Sequence, residues 1–171
     1  MKANVNSWVL FILLVVAQLI MTNYIHLSQF VVLTLLPAII VCLPTSLSPI
    51  ATMLVAFATG MSVDLLAEGV IGLNTVSILP VALLRHKFIG WTMGEDVVVR
   101  KAEFSIRRNG FGKTLALQTM ALSLFLIIYI TTDGAGTRTF WFNAARFVAS
   151  ALCSIVLGMI VTGVLNSKDY R

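Results

Sequence analysis

The residue best equipped for chemistry in this chain is Asp64, set within GMSVDLLAEGVIGLNTVSILPVALLRHKF, the stretch from Gly60 to Phe88. A carboxylate among leucines and valines can relay protons, bind a solute, or accept hydrogen bonds from backbone that would otherwise be left bare. Residues four apart share a helical face, so Gly60, Asp64 and Glu68 form a stripe, and Gly60 lets a neighbouring helix come close. Gly69 and Gly72 then close a tight turn, after which the first free N–H groups of another helix point back toward the carboxylate. Asp64 is therefore expected to accept from those amides, or to pair with Asn74, and so to lock a helical hairpin. A proton relay needs a second intramembrane acid or base, and the apolar segments offer none. A solute pocket lined by Asp64, Asn74 and Arg146 is the competing reading.

The other reactive side chains point to little chemistry. Cys42 and Cys153 both fall inside apolar segments, where core packing is expected and a disulfide or metal site is not. His26 reads as a loop residue, and His86, flanked by Arg85 and Lys87, as an interface residue. The polar stretch Arg85–Lys113, RHKFIGWTMGEDVVVRKAEFSIRRNGFGK, holds no ligands at metal spacing, no phosphate-binding glycine loop and no nucleophile with its base. Phe88 and Trp91 beside the cations have the composition of a helix end among lipid headgroups. No cofactor, no metal and no enzymatic activity are expected.

The elements that position these residues follow from composition. Of 171 residues, 58% are hydrophobic and only 11% charged, with a mean hydropathy of +0.96, which leaves too little polar surface to cover a water-soluble globule. An all-α integral membrane protein is predicted, one compact domain over residues 1–171 with six spans at about 5–21, 28–43, 50–66, 70–84, 115–130 and 142–165. The first segment follows Lys2 as a signal peptide would, yet no small-x-small cleavage site comes after it, so it is expected to be retained. Several segments fall short of the roughly 20 residues that cross about 30 Å of hydrocarbon, so flanking polar residues or local thinning must help. Short connections force neighbouring helices to lie antiparallel. Pro37 and Pro80 fall inside spans and are expected to kink them, and NGFG at Asn109–Gly112 reads as a turn before the fifth helix.

Lysine and arginine resist translocation. With six spans, Lys2, the basic residues of the 85–113 loop including Arg100, Lys101, Arg107 and Arg108, and the terminal Lys168 and Arg171 share one side. Only Arg138 and Arg146 of the 12 basic residues lie on the other. Both termini and the basic loop are therefore expected to be cytoplasmic. The net charge of +5 reflects topology and attraction to anionic lipid, at about 1 kcal/mol per residue near the surface, with no nucleic acid involved.

Gly60, Asp64, Gly72, Leu73 and Arg85, read as glycine, three residues, aspartate, then a glycine-leucine step into a helix ending in arginine, resemble the MreD family of rod shape-determining proteins. VAQLIMTNYIHL at Val16–Leu27 and EFSIRRNGFGK at Glu103–Lys113 are similar to that family too, the latter to its Bacteroidetes type. The resemblance implies a non-enzymatic inner-membrane component of the elongation machinery (elongasome). Such a protein supports lateral peptidoglycan synthesis and cell shape by binding the bitopic protein MreC and, indirectly, MreB filaments and wall synthases. It also implies a bundle like the six-helix substrate-binding components of vitamin transporters, with Gly60, Asp64, Gly72, Asn74 and Arg85 as its structural or partner-binding site. The loop cations Arg100, Lys101, Arg107 and Arg108 would meet anionic lipid or the filament. Pro80 and Glu68 depart from what the family requires. The alternative function is that of a solute-binding membrane component of a vitamin-uptake type transporter.

Overall fold

A computed structural model describes residues 5–24, 31–94, 110–134 and 138–166. The regular elements are helices: α1 (Val5–Tyr24), α2 (Leu36–Val41), α3 (Pro49–Val63) continued by a π-helical turn (Asp64–Glu68), α4 (Leu73–Met93), α5 (Phe111–Gly134) and α6 (Phe140–Asn166). Three stretches, Pro49–Glu68, Phe111–Gly134 and Phe140–Gly163, are long and apolar enough to cross a membrane. The loop cations Arg100, Lys101, Arg107 and Arg108, like His26, lie outside the described residues.

Local signals account for several boundaries. Ser48 accepts from the amide of Ala51 at 3.2 Å, with Pro49 in the first turn where its missing N–H costs nothing. Gly69 closes the π-helical turn at φ 69°, and Gly72 stands before α4 at φ 99°, a region open to glycine because it carries no Cβ. Gly110, at φ 86°, precedes α5, but the turn expected over Asn109–Gly112 has already become helix at Phe111, and Asn109 lies outside the described residues.

Two expected spans differ from the observed helices. Of the segment 28–43, the described residues 31–43 are helical only over Leu36–Val41, and six residues rise about 9 Å, so this helix by itself does not make a crossing. Pro37 accounts for where the helix begins: it has no N–H to bond back, and its ring would clash with the carbonyl four residues earlier, so it is tolerated only in a first turn, which is where it sits in α2. The fourth span, expected to end at Leu84 with a loop from Arg85, instead continues as helix through RHKFIGWTM to Met93. Arg85 is thereby drawn from the start of a polar loop into the bundle, with no exposure at all.

α4 packs against α3 on one side and α5 on the other, α5 packs against α6, and α2 lies centrally, touching all the other helices. The main core joins Leu36, Ile40, Ile78, Val81, Ile89, Leu122, Phe125 and Leu126. The outside is as apolar as the inside. Ile12, Leu13, Leu54, Leu83, Ile127, Leu152 and Ile160 are all more than half exposed, far more than a soluble monomer leaves uncovered and well matched to lipid. Apart from Phe57 in mid-α3, the exposed aromatics gather at the helix ends, Tyr24, Phe140 and Trp141 at one and Trp91 and Phe111 at the other, as in the aromatic girdles of membrane proteins.

Candidate functional site

Asp64 is fully buried at the junction of α3 and α4. Its Oδ1 accepts from the Asn74 amide at 2.8 Å and from Asn74 Nδ2 at 3.1 Å. Its Oδ2 accepts from the Gly72 amide at 3.0 Å, the Thr75 amide at 3.1 Å and the Thr75 hydroxyl at 2.6 Å. A helix start leaves several N–H groups without intrahelical partners, and Gly72, the capping residue of α4, has no side chain to offer them. Asp64 supplies the cap from the preceding helix, and its negative charge faces the positive end of the α4 dipole. Hydrogen bonds to a charged group are worth about 1.5–3 kcal/mol each, enough in number to offset the desolvation of one carboxylate.

Gly60 makes the geometry possible. A Cβ at Gly60 would lie 2.7 Å from Thr75 Cα and 3.1 Å from Thr75 N, so any larger residue would push away the helix turn that Asp64 holds. The glycine and the aspartate one turn later thus act on the same residue of α4. The π-helical turn completes the connection, with the Gly69 amide reaching the Asp64 carbonyl at 2.8 Å.

Further polar contacts lie at this end of the bundle. Tyr129 of α5 donates to Glu68 Oε1 at 3.1 Å, and Arg146 of α6 forms an ion pair with Asp133 of α5. Asn23 of α1 reaches the Leu66 carbonyl at 3.4 Å. Residue spacing gave no hint of the Glu68–Tyr129 or Asp133–Arg146 pairs. Of the solute-site trio, Asp64 and Asn74 bond to each other, whereas Arg146 pairs with Asp133 and makes no hydrogen bond to Asp64.

Arg85 serves another junction. Its Nε donates to the Val41 carbonyl at 3.3 Å and its Nη2 to the Leu43 carbonyl, so the cation caps the C-terminal end of α2, where a positive charge complements the dipole. Nη1 has no partner among the described residues. Arg85 and the Asp64 cluster therefore belong to two separate structural devices on one helix, α4.

Side chains remote from the hairpin also escaped sequence reasoning. The non-helical stretch before α2 is fastened by side chains: the Val32 amide donates to Ser150 Oγ at 2.8 Å, the Thr34 amide to Ser154 Oγ at 3.2 Å and the Leu35 amide to Gln18 Oε1 at 2.6 Å. Gln18, Ser150 and Ser154 are all buried. The available signals were a glutamine deep in the first apolar run and two serines four apart on one helical face. Cys42 packs with its thiol 3.6 Å from Thr162 Oγ1, both cysteines are free, and no group of three or more potential metal ligands occurs among the described residues.

Comparison with known proteins leaves the fold and this site to speak for themselves: no family model, no curated protein and no solved structure matches the chain.

Proposed function

We propose that this chain is a non-enzymatic inner-membrane component of the bacterial rod-shape machinery, similar to MreD, which binds a bitopic MreC-like partner and helps organise lateral peptidoglycan synthesis. The observation that carries the reading is the use made of the motif residues. Five donors crowd the two oxygens of Asp64, Gly60 admits Thr75 and Arg85 caps α2. Each is committed to joining helices, which suits a scaffold better than a catalyst or a proton carrier. An apolar groove of about 290 Å³ between α1 and α3, lined in part by Phe11, Val15, Ala58 and Ser62, supports the binding role. Thr59 and Ser62 in its wall donate to carbonyls of their own helix, so the groove suits an apolar occupant such as a single membrane helix. In this reading both termini and the basic loop face the cytoplasm, where Arg100, Lys101, Arg107 and Arg108 meet anionic lipid or the filament system.

The test is crosslinking and copurification of the tagged chain from native membranes, together with depletion scored for cell shape. Recovery of a bitopic protein with wall synthases, and rounding of depleted cells, is expected; rods that keep their shape and normal wall insertion would argue against the role. One observation favours the alternative, a solute-binding component of a vitamin-uptake type transporter: a broken helix lies at the bundle centre, an arrangement that transporters use for substrate sites. Recovery of a transport ATPase without wall enzymes would decide for it.

A further inference from the structure

A second pocket, of about 420 Å³, opens between the turn that precedes α4 and the last turn of α5. It lies at the end of the bundle that carries the Asp64 cap and the Asp133–Arg146 pair. Val70, Ile71, Leu73 and Val76 form its apolar wall, and Thr132 and Asp133 its polar one. Its volume falls in the range of small-ligand sites, about 300–1,000 Å³. Val70, Ile71 and Val76 are more than half exposed, so the pocket is open to whatever lies beside the bundle.

The polar wall suits a cation. Asp133 accepts from Arg146 through Oδ2 alone, which leaves Oδ1 available as an acceptor, and its side chain is 27% exposed. Thr132 donates its hydroxyl hydrogen to the Ile128 carbonyl at 2.6 Å, so toward a ligand its oxygen can only accept. The charge balance runs the same way. Among the described residues at this end, three carboxylates, Asp64, Glu68 and Asp133, stand against one buried cation, Arg146. Asp133 is near enough to Glu68 for the two to repel, and Arg138 is exposed and stacked over the Phe142 ring at 5.2 Å.

The surface beside the pocket is apolar. Val76 and Leu83, seven apart on one face of α4, and Ile127 of the adjoining α5 are all more than half exposed. An occupant that fits both parts joins an ammonium head to an apolar tail, and the bilayer itself supplies such molecules at high local concentration. We infer that the pocket is a headgroup site for a phospholipid with a primary amine, phosphatidylethanolamine: its ammonium donates to Asp133 and Thr132 while its acyl chains lie along Val76, Leu83 and Ile127. A choline headgroup carries the same positive charge but no N–H, so it cannot make these hydrogen bonds. A glycerol headgroup leaves the lipid with a net negative charge, which the surplus of carboxylates repels. The site is independent of whether the bundle serves a scaffold or a transporter.

Native mass spectrometry of the full chain tests this, after delipidation in detergent and titration with phosphatidylethanolamine, phosphatidylcholine or phosphatidylglycerol of identical acyl chains. The first phosphatidylethanolamine is expected to bind about tenfold more tightly than either of the others, the lower end for a hydrogen bond to a charged group because the pocket is open. Asp133→Asn should abolish that preference. Val76→Trp, at a half-exposed position, should fill the pocket and abolish it too while leaving the Asp133–Arg146 pair intact, and it decides the matter should Asp133→Asn lose the fold. Equal affinities for the three lipids, or a preference that survives in either folded variant, overturns the site. In native membranes, Ile71→benzoylphenylalanine should yield photoadducts of phospholipid mass. A protein-sized adduct in their place would give the pocket to a lysine-bearing partner and overturn the lipid assignment.

Discussion

Removing the Asp64 carboxylate exposes what it holds. In Asp64→Ala the amides of Gly72, Asn74 and Thr75 lose their acceptor together with two side-chain donors. The Thr75 hydroxyl can turn to a carbonyl of its own helix, the Asn74 amide group can rotate, and the partly exposed Gly72 amide can reach water at the turn. The amides of Asn74 and Thr75 have no such escape, since both residues are buried. At about 1–3 kcal/mol for each orphaned donor, the expected loss is about 2–6 kcal/mol. Asp64→Asn keeps one acceptor oxygen for Asn74 but turns an NH2 group toward the donors of Gly72 and Thr75, so roughly half that loss is expected. The assay is reversible unfolding in bicelles, with the folded fraction read by a trapping ligand or by far-ultraviolet dichroism. A stability for Asp64→Ala within about 0.5 kcal/mol of the parent, the range of an ordinary surface change, would refute the cap. Loss of biological activity in Asp64→Asn at full stability would restore the relay or solute-ligand reading instead.

The remaining predictions concern the contacts around that cap. Gly60→Ala should destabilise by about 1–3 kcal/mol through overpacking against Thr75 backbone, and by less when combined with Asp64→Ala, because both changes act on Thr75. Gly158→Ala, whose Cβ would meet the side-chain amide of Gln118 at 2.5 Å, should cost under about 1 kcal/mol because a flexible side-chain end can move away; the same unfolding assay compares them. Arg85→Ala should be more destabilising than Arg85→Met by at least about 1 kcal/mol. Both uncap Val41 and Leu43, but only alanine also leaves a cavity. The Asp133–Arg146 pair, with side chains 27% and 10% exposed, should show a coupling of about 1 kcal/mol or less in a double-mutant cycle with Asp133→Asn and Arg146→Gln, and less still at high salt.

Much of the hairpin was legible because its logic is local. Asp64, Gly69, Gly72 and Asn74 lie within a dozen residues, so helical spacing and the known lack of partners at a helix start suffice to bring the carboxylate to the amides of α4. Thr75 was missed, although it donates twice to Asp64 and is the residue that Gly60 admits, because its role depends on how closely α3 and α4 approach. Arg85 was grouped with Asp64 although it serves a separate junction at the end of α2, and charge marked it as the start of a loop, whereas α4 continues past it and buries it. Gln18, Ser150 and Ser154 went unread since their partners are backbone amides more than a hundred residues away in the case of the serines, and no local pattern announces such a pairing.

Composition and spacing determined what depends on solvent and on neighbours along the chain: the helical, membrane-compatible character, the breaks that precede α3 and α5, and the tie between Asp64 and the start of α4. Tertiary structure decided what depends on separated segments meeting. Hydropathy registers that residues 28–43 are apolar, but an apolar run can be buried as a span or as a short broken helix among others. Pro37 made a break favourable, and the side chains of α1, α4 and α6 made it affordable by satisfying the backbone that the break leaves open.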